Sequence, residues 1–345
     1  MSASTCNSLS SSSLVAATTP SALSAAVQTT ILSATFVANF FGNICVCLAV
    51  FHMQSLRERP SSRVLVSLAV SDFSSLSFLV FRLMWVYEHE VACEVCEYFL
   101  GLLTMLVYVS VIHICLLSCD RYAAIVYPLR YTTIVTEKRV RWALFAAWFA
   151  PVLSVATANW TNGNTDHSDY RRSLVGCSVT CGKRPSLIYT YHLALNMIFF
   201  LWIPFAVIIF VYARVAKISW SQSNRVEPGE NLNLEEAEMK RKKEKEMKWM
   251  RTIAMVMGAF VFCYIPGFIY VIIAAKLGPS QVPNLVRSAS VVIIVVNSAL
   301  NPIIYLIRSS EFQRGFKRIF RFLLVTHNTT VNTISMPTGG NQRDL

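Results

Sequence analysis

The sequence predicts an all-α membrane protein, a seven-transmembrane helix bundle with a short amphipathic eighth helix. The 345 residues are 54% apolar and 14% charged, whereas a soluble domain usually has about 25% charged residues. Seven apolar segments each exceed the roughly 20 residues that are needed to cross a bilayer. Of the 31 Lys and Arg residues, 24 fall on one side of the proposed membrane and 7 on the other. This bias places the N-terminus outside the cell and the C-terminus in the cytoplasm.

The seven segments are expected to be helices, because lipid satisfies no backbone hydrogen-bonding group. They cover residues 27–52, 62–87, 96–127, 139–160, 187–214, 249–275 and 284–307. Kinks are predicted at prolines within four of them, namely Pro151, Pro204, Pro266 and Pro302. We divide the chain into an extracellular Ser/Thr-rich tail (1–26), a transmembrane domain (27–307), an amphipathic helix (308–324) and a cytoplasmic tail (325–345).

Two charged stretches are predicted to extend the bundle beyond the membrane. The run from Glu235 to Lys248 contains Glu–Lys pairs four residues apart, which favours an extension of the sixth helix into water. After the seventh segment, apolar residues repeat at helical spacing between Arg and Lys residues, which predicts a short amphipathic helix on the inner leaflet. The last cysteine of the chain is Cys263, so no cysteine follows that helix to carry an acyl chain.

Polar groups recur at membrane depth in most of the segments. They are Asn43, Asp72, the triad Asp120-Arg121-Tyr122, and the run from Asn301 through Pro302 to Tyr305. A charged group at this depth costs roughly 2.5–3.5 kcal/mol, so it is expected to face the bundle interior and to have a function. The order and spacing of these groups resemble the rhodopsin-like (class A) G-protein-coupled receptors over roughly residues 27–322. The likeness is nearest to the amine and adenosine types of receptor.

The resemblance implies a plasma-membrane receptor rather than an enzyme. Such a receptor binds an extracellular small molecule and activates heterotrimeric G proteins by outward movement of helix six, and arrestin and a receptor kinase are further implied partners. Two alternatives remain: a seven-helix protein without its own ligand, constitutive or decoy, and a transporter. The sequence has no HExxH motif, no pair of deep aspartates and no internal repeat, which disfavours an intramembrane enzyme and a transporter.

The resemblance assigns a G-protein switch to the inner end of the bundle. Arg121 is implied to pair at rest with Asp120 and with Glu246 at the base of helix six. Tyr212 and Tyr305 resemble a tyrosine pair that a water molecule bridges in active receptors, and Leu129 is an expected G-protein contact. The full set is Asp120, Arg121, Tyr122, Leu129, Tyr212, Glu246, Asn301, Pro302 and Tyr305.

A sodium-type site is implied around Asp72. Its companions in the family pattern are Ser110, Asn297, Ser298 and Asn301. One carboxylate among hydroxyl and amide oxygens suits Na⁺, which prefers oxygen ligands; the alternative is a polar network that holds water only. No other cofactor is expected.

The resemblance places the ligand pocket between the outer halves of helices three, five, six and seven. The expected pocket residues are Arg82, Leu103, Thr104, Val107, Tyr108, Asn196, Phe200, Tyr264, Phe268 and Val291. Leu103 stands where amine receptors have an aspartate, which disfavours an ordinary monoamine. Val295 replaces the retinal-binding lysine of opsins, and Val271 replaces an asparagine of purine receptors. Tyr264 replaces the family's usual tryptophan. Arg82 either lines the cavity or extends outward to water or to loop acids.

Four cysteines fall in outer loops or at their edges, where an oxidising compartment favours disulfides. Cys96 matches the third-helix cysteine of the family, so its implied partner is Cys177 or Cys181. Cys93 supplies a second thiol, as in adenosine receptors, and two bridges are possible with a connectivity that sequence leaves open. Asn159 begins a glycosylation sequon close to the membrane.

Overall fold

The computed structural model describes residues 22–77, 80, 93–162, 187–223, 234–277, 282–308, 312–318 and 321. In these ranges the backbone forms helices joined by short turns, and no strand occurs in them. The long helices are α1 (Ala22–His52), α2 (Pro60–Ser74), α3 (Cys93–Val126), α4 (Glu137–Asn162), α5 (Leu187 to Ser223), α6 (Leu234–Leu277) and α7 (Asn284–Arg308). The short helix Phe312–Arg318 is α8. The predicted fold, seven long helices and a short eighth, is confirmed.

Four of the described helices contain a stretch that is long and apolar enough to cross a membrane by itself. These stretches are Ala26–His52, Gly101–Val126, Glu137–Thr157 and Ala194–Val215. In α7 the apolar stretch Val292–Ile307 is followed by α8, whose axis makes an angle of 91° with it. In α6 a charged run precedes the apolar stretch Gly258–Gly267, so the helix extends well beyond the apolar layer, as the Glu–Lys spacing predicted.

The described outer surface of the bundle is largely apolar, and the interior combines an apolar core with buried polar side chains. Large side chains such as Trp142, Phe145 and Phe149 are exposed on the outer face of α4, where the aromatic rings of Phe145 and Phe149 stack at 5.3 Å. Asn39, Asp72 and other polar residues are buried between the helices instead. This distribution suits a protein surrounded by lipid, because lipid chains cannot form hydrogen bonds with polar groups on the outer surface. It also concentrates the polar chemistry on the bundle axis.

Helices α1 and α7 approach closely at Gly42. A Cβ atom added there would lie 2.6 Å from Cγ and 2.8 Å from Cβ of Pro302. The proline ring is rigid, so it cannot turn aside as the end of a long side chain would. The absence of a side chain at Gly42 therefore sets the distance between α1 and the Asn301-Pro302 segment of α7.

Gly42→Ala is expected to destabilise the bundle by about 1–3 kcal/mol, because overpacking forces the two backbones apart. The measurement is the thermal unfolding temperature of the purified protein in detergent or nanodiscs. Gly258→Ala is the matched control, since a Cβ at Gly258 would have no atom of another helix within 4 Å in the described part of the chain, and alanine is the better helix former. Equal effects of the two substitutions would contradict the role of the close approach.

Candidate functional site

Two buried charges mark one end of the bundle, called here the Arg121 end. Asp120 and Arg121 are 7% and 3% exposed. The Arg121 guanidinium donates from Nε to Oδ2 of Asp120 at 2.7 Å, and its Nη2 donates to the same carboxylate and to the Ser61 hydroxyl of α2 at 2.8 Å. The Tyr131 hydroxyl donates to Oδ1 of Asp120 at 2.8 Å. Arg121 is therefore connected to α2 through Ser61, and the Asp120 carboxylate accepts hydrogen bonds from Arg121 on one oxygen and from Tyr131 on the other.

The connection after α3 brings Tyr131 to this carboxylate. A 3₁₀ turn at Pro128–Arg130 leads directly into the short helix Tyr131–Ile134. Arg139 of α4 then donates to the carbonyl oxygens of Thr133 and Ile134 at 3.2 and 2.9 Å, which satisfies the end of the short helix. Sequence reasoning missed both Tyr131 and Ser61, because no spacing rule links them to Arg121 and only the folded chain brings them together.

A cavity of about 760 Å³ opens beside Arg121. Its lining includes Arg59, Tyr131 and Glu137, together with Glu238 and Arg241 from the extended part of α6. Leu129 lies next to it on the 3₁₀ turn and is 95% exposed, although leucine is apolar. Tyr122 packs edge-on against Tyr127 at 6.2 Å. Glu246 lies in α6, but its side chain is outside the described part, so its pairing with Arg121 stays a prediction.

Tyr305 joins α7 to α8. Its ring is buried and stacks on Phe312 of α8, with the ring centres 5.6 Å apart. Its hydroxyl oxygen is buried without a hydrogen-bond partner among the described residues. Tyr212 of α5 and Ser118 of α3 lie near each other in the same part of the bundle. Both predicted tyrosines thus face the bundle interior near the Arg121 end, without a direct hydrogen bond between them among those described.

Asp72 lies at the centre of a polar network between α1, α2, α3 and α7. Asn301 donates from Nδ2 to Oδ2 of Asp72 at 2.7 Å, and Asn39 donates to the Asp72 backbone carbonyl at 2.9 Å. Asn43 donates to Oδ1 of Asn39 at 2.8 Å, which orients that amide. The Ser110 side chain also interacts with the Asp72 carboxylate. The structure therefore brings together Asp72, Ser110 and Asn301 from three helices.

Two buried side-chain oxygen atoms, one in this network and one a helical turn before Asn301 on α7, have no hydrogen-bond partner within the described ranges. They are Oδ1 of Asp72 and Oδ1 of Asn297, and both are buried. An unpaired buried oxygen is costly, so such atoms call for a ligand or a water molecule. A carboxylate oxygen and an amide oxygen are suitable ligands for a hard cation. The residues present thus fit a small cation, with half-buried Ser298 next to Asn297 on α7.

Aromatic side chains line the bundle in the half away from Arg121. Tyr108 of α3 stacks on Phe200 of α5 at 5.1 Å, and Tyr264 stacks on Phe260 one turn away at 4.1 Å. Phe200 belongs to a π-helical turn, Ile198–Trp202, which locally widens α5. The half-buried predicted residues around them are Leu103, Thr104, Val107 and Asn196.

Several predicted residues cannot be assigned contacts. Arg82, Cys177 and Cys181 lie outside the described residues. The side chains of Phe268, Val291, Cys93, Cys96 and Asn159 also lie outside the described part, although their backbones belong to α6, α7, α3, α3 and α4. Five cysteines within the helices form no disulfide: Cys45, Cys47, Cys115, Cys119 and Cys263.

A buried histidine, which sequence reasoning did not identify, joins α2, α3 and α4. His113 Nδ1 lies 2.7 Å from the Val109 carbonyl, which can only accept, so Nδ1 carries the proton. Nε2 then accepts from the Ser67 hydroxyl at 2.7 Å, and Trp148 Nε1 donates to the Ser67 oxygen at 2.9 Å. Every polar atom of the three side chains has a partner, so the network fixes one arrangement of the three helices.

Ser67→Ala is expected to destabilise the protein by about 1–3 kcal/mol, because it leaves His113 Nε2 and the Trp148 N–H without partners in the bundle. The measurement is thermal unfolding of the purified protein. Ser74→Ala is the control, since the Ser74 hydroxyl bonds the Val70 carbonyl of its own helix. A loss for Ser67→Ala no larger than that for Ser74→Ala would show that the network does not hold the helices.

The family model and the relatives that match this chain are all seven-transmembrane receptors. A family model described as "7 transmembrane receptor (rhodopsin family)" matches residues 42–305. The histamine H2 receptor of Cavia porcellus is 29% identical over 297 residues, which cover 84% of this chain and 77% of that receptor. The D(1)-like dopamine receptor of Oreochromis mossambicus is 28% identical over 312 residues, with coverages of 84% and 77%. The matched range includes Asp72, Arg121 and Tyr305.

Proposed function

Because the chain belongs to the rhodopsin family of seven-transmembrane receptors, we propose that the Arg121 end faces the cytoplasm of a cell whose plasma membrane holds the receptor. It is a multi-pass G-protein-coupled receptor, and an extracellular small molecule binding in the opposite half would promote nucleotide exchange on a heterotrimeric G protein. The observation that supports this most is the buried Asp120–Arg121 pair beside an open cavity of about 760 Å³.

The resting state is maintained by the contacts of Arg121. Its bonds to Asp120 and Ser61 hold the guanidinium against α2 and α3, and Glu246 is the proposed third partner. Separating a buried ion pair costs free energy, because each charge is left without its partner. Arg121 is therefore expected to be either paired or fully released, which gives this end of the bundle two distinct states. Agonist binding favours the state in which α6 has moved outward and Arg121 faces the cavity. The tail of the G protein would then bind there, beside exposed Leu129.

The two ends of the bundle are linked through its polar axis. We propose that agonist contacts near Thr104, Asn196 and Tyr264 shift α6, because Tyr264 stacks directly on Phe260 of the same helix. Na⁺ at Asp72, Ser110, Asn297, Ser298 and Asn301 would favour the resting state by neutralising the buried carboxylate. The unpartnered oxygens of Asp72 and Asn297 support that ion site.

The proposed ligand class rests on Leu103. A protonated amine needs a carboxylate to offset its desolvation, and Leu103 provides none on α3. We therefore propose a ligand with a large apolar part, which the rings of Tyr108 and Phe200 suit. The relatives are named for histamine and dopamine, so an amine bound by another acid is the second candidate. Leu103→Asp separates the two candidates. If the natural ligand is not an amine, the variant should gain a response to amines that the unmodified receptor lacks. If the natural ligand is an amine, the unmodified receptor should already respond to amines.

Regulation after activation would use the C-terminal tail. Ser and Thr residues within 326–338 are proposed sites for a receptor kinase, and their phosphates would recruit arrestin through added negative charge.

The testing experiment measures G-protein dissociation in living cells across all subtypes. The surface-expressed receptor is exposed to separate libraries of amines, purines, lipids and small acids, and the basal signal is recorded first. A basal or evoked signal that disappears with Arg121→Ala supports the proposal and identifies the transducer. A signal unaffected by that change, or none from any surface-expressed sample, contradicts coupling through the Arg121 end.

A further inference from the structure

Helix α2 is interrupted one turn after Asp72. The regular helix ends at Ser74, and the backbone becomes helical again directly after a turn at Ser75. The Ser75 amide is shared between the carbonyl oxygens of Ser71 and Asp72, both at 3.2 Å, so this turn is partly of the tighter 3₁₀ kind. Residues 61–127 contain no proline, so a proline ring does not cause the interruption.

Asn39 of α1 holds this interruption from the side. Its Nδ2 group donates to the Asp72 carbonyl at 2.9 Å and to the Ser75 hydroxyl oxygen at 3.0 Å. The Ser75 hydroxyl donates to the same carbonyl at 2.6 Å. The three groups form a closed ring of hydrogen bonds that joins α1 to the turn in α2. We call this set of Asn39, Asp72 and Ser75 the Asn39 ring.

Asn43, which the family pattern marks at this depth, does not make this connection. Its Nδ2 group donates to Oδ1 of Asn39 at 2.8 Å and to the Asn39 carbonyl at 3.1 Å, so both bonds remain within α1. They orient the Asn39 amide with its Nδ2 group toward α2. In the described part of the chain, α1 therefore reaches Asp72 through Asn39, a residue that sequence reasoning did not identify.

Aromatic side chains cover the outer side of the Asn39 ring. Phe40 and Phe73 follow Asn39 and Asp72 in the sequence, and their ring centres lie 5.6 Å apart between α1 and α2. Phe73 is exposed on the outer surface of the bundle, whereas Asn39 is fully buried. The hydrogen bonds of the ring are thus shielded from the surroundings, and a polar group released from them would find no easy replacement partner.

The Asn39 ring restrains the backbone from which the Asp72 carboxylate extends. Asn301 donates to Oδ2 of Asp72 at 2.7 Å, whereas Oδ1 has no hydrogen-bond partner within the described ranges. The carbonyl and the carboxylate belong to one residue, so a rotation of the backbone at Asp72 would move both carboxylate oxygens. Holding the carbonyl keeps Oδ2 on Asn301 and leaves Oδ1 available to a cation. Outer partners that orient a ligating group in this way commonly raise the affinity of an ion site.

We propose that Asn39 is a positioning residue for the cation site, and that it raises the affinity for Na⁺ by holding the Asp72 carbonyl. This inference rests on the proposed sodium site and not on the ligand or transducer proposed above. Asn39 does not contact the ion itself, because its side-chain nitrogen and oxygen are occupied by Asp72, Ser75 and Asn43. It therefore changes how tightly the site binds and not which atoms bind.

The test is a sodium titration of the purified full chain in nanodiscs. The unfolding temperature is measured as NaCl replaces KCl at constant ionic strength, and the gain in stability gives the Na⁺ dissociation constant by mass action. Asn39→Leu has a similar volume but donates no hydrogen bond. It should raise the dissociation constant about threefold to tenfold, as expected for the loss of a hydrogen bond between membrane helices. A residue that only held α1 against α2 would lower the unfolding temperature equally in both salts and leave the constant unchanged.

Two further variants make the test specific. Ser75→Ala removes another member of the Asn39 ring and should also raise the constant, but it should add little to Asn39→Leu because the two residues act as one unit. This smaller change also tests the ring if Asn39→Leu does not fold. Thr35→Val is the matched control and should leave the constant unchanged. Thr35 is buried on α1 one turn before Asn39, but its hydroxyl bonds the Ile31 carbonyl of its own helix at 2.7 Å.

Two results would overturn this inference while leaving the sodium site in place. One is a sodium-specific gain in the unmodified chain with the same dissociation constant in Asn39→Leu and Ser75→Ala. The other is an equal rise of the constant in Thr35→Val and Asn39→Leu, which would indicate a general effect of packing in α1. By contrast, the absence of any sodium-specific gain in the unmodified chain would remove the ion site itself, and the role of Asn39 with it.

Discussion

Replacing Arg121 with Ala is expected to abolish G-protein activation, both basal and ligand-evoked, at matched surface expression. The guanidinium is the group that would leave Asp120 and Ser61 to meet the G protein, and alanine has no atom that can do so. Removing one partner of a buried pair also costs about 3–5 kcal/mol, because Asp120 is left without its counter-charge. The measurement is G-protein dissociation in cells, with surface protein counted by an N-terminal tag.

The stability cost and the loss of signalling are separated by two further variants. Asp120→Asn/Arg121→Ala removes the unpaired charge, so it should regain stability while staying silent in signalling. Arg63→Ala removes an arginine that pairs with Glu137 at 2.8 Å in a solvent-accessible ion pair, so it should have little effect on either quantity. Signalling by the double variant at the level of the unmodified receptor would exclude Arg121 as the switch.

Asp72→Asn is expected to remove the dependence of thermal stability on Na⁺. Asparagine keeps nearly the same shape and an oxygen that can accept from Asn301, but it has no charge to hold a cation. With Na⁺ at about ten times its dissociation constant, mass action stabilises the bound state by about 1.4 kcal/mol, and this gain should vanish. The measurement is the unfolding temperature of purified receptor in NaCl and in KCl at constant ionic strength.

The comparison of unfolding temperatures in NaCl and KCl has three possible results. A sodium-specific gain that Asp72→Asn removes supports the ion site at the Asp72 network. A sodium-specific gain that survives in Asp72→Asn places the ion elsewhere, and no difference between the two salts in the unmodified receptor means that the network holds water only. The second and third results would both contradict the proposed site, without affecting the role of Arg121.

The fold was predictable from the sequence because the membrane leaves few choices. An apolar segment of about 20 residues has to be a helix where lipid cannot satisfy backbone groups, so segment length alone predicts the bundle. The extension of α6 was predictable for a similar local reason, since Glu and Lys four residues apart stabilise a helix in water. Polar residues at membrane depth, such as Asp72 and Asn301, had to be interior and were found there.

Other parts of the site were not predictable, because they join residues that are distant in sequence. Ser61 reaches Arg121 across 60 positions, and the Tyr131 hydroxyl reaches Asp120 only because the 3₁₀ turn after α3 folds back. His113 looked like one polar residue in an apolar segment, and its partners Ser67 and Trp148 come from two other helices. No periodicity within a single segment carries such information.

The sequence by itself determined the class of protein, the helix order, the polar residues of the axis and the location of the switch arginine. Tertiary structure decided which partners hold that arginine, how closely α1 approaches α7 at Gly42, and which face of α8 remains exposed. The physical reason is the range of the forces involved. Burial in lipid and helix periodicity act on neighbouring residues, whereas hydrogen bonds and ring stacks depend on angstrom-scale positions that exist only once the helices have packed.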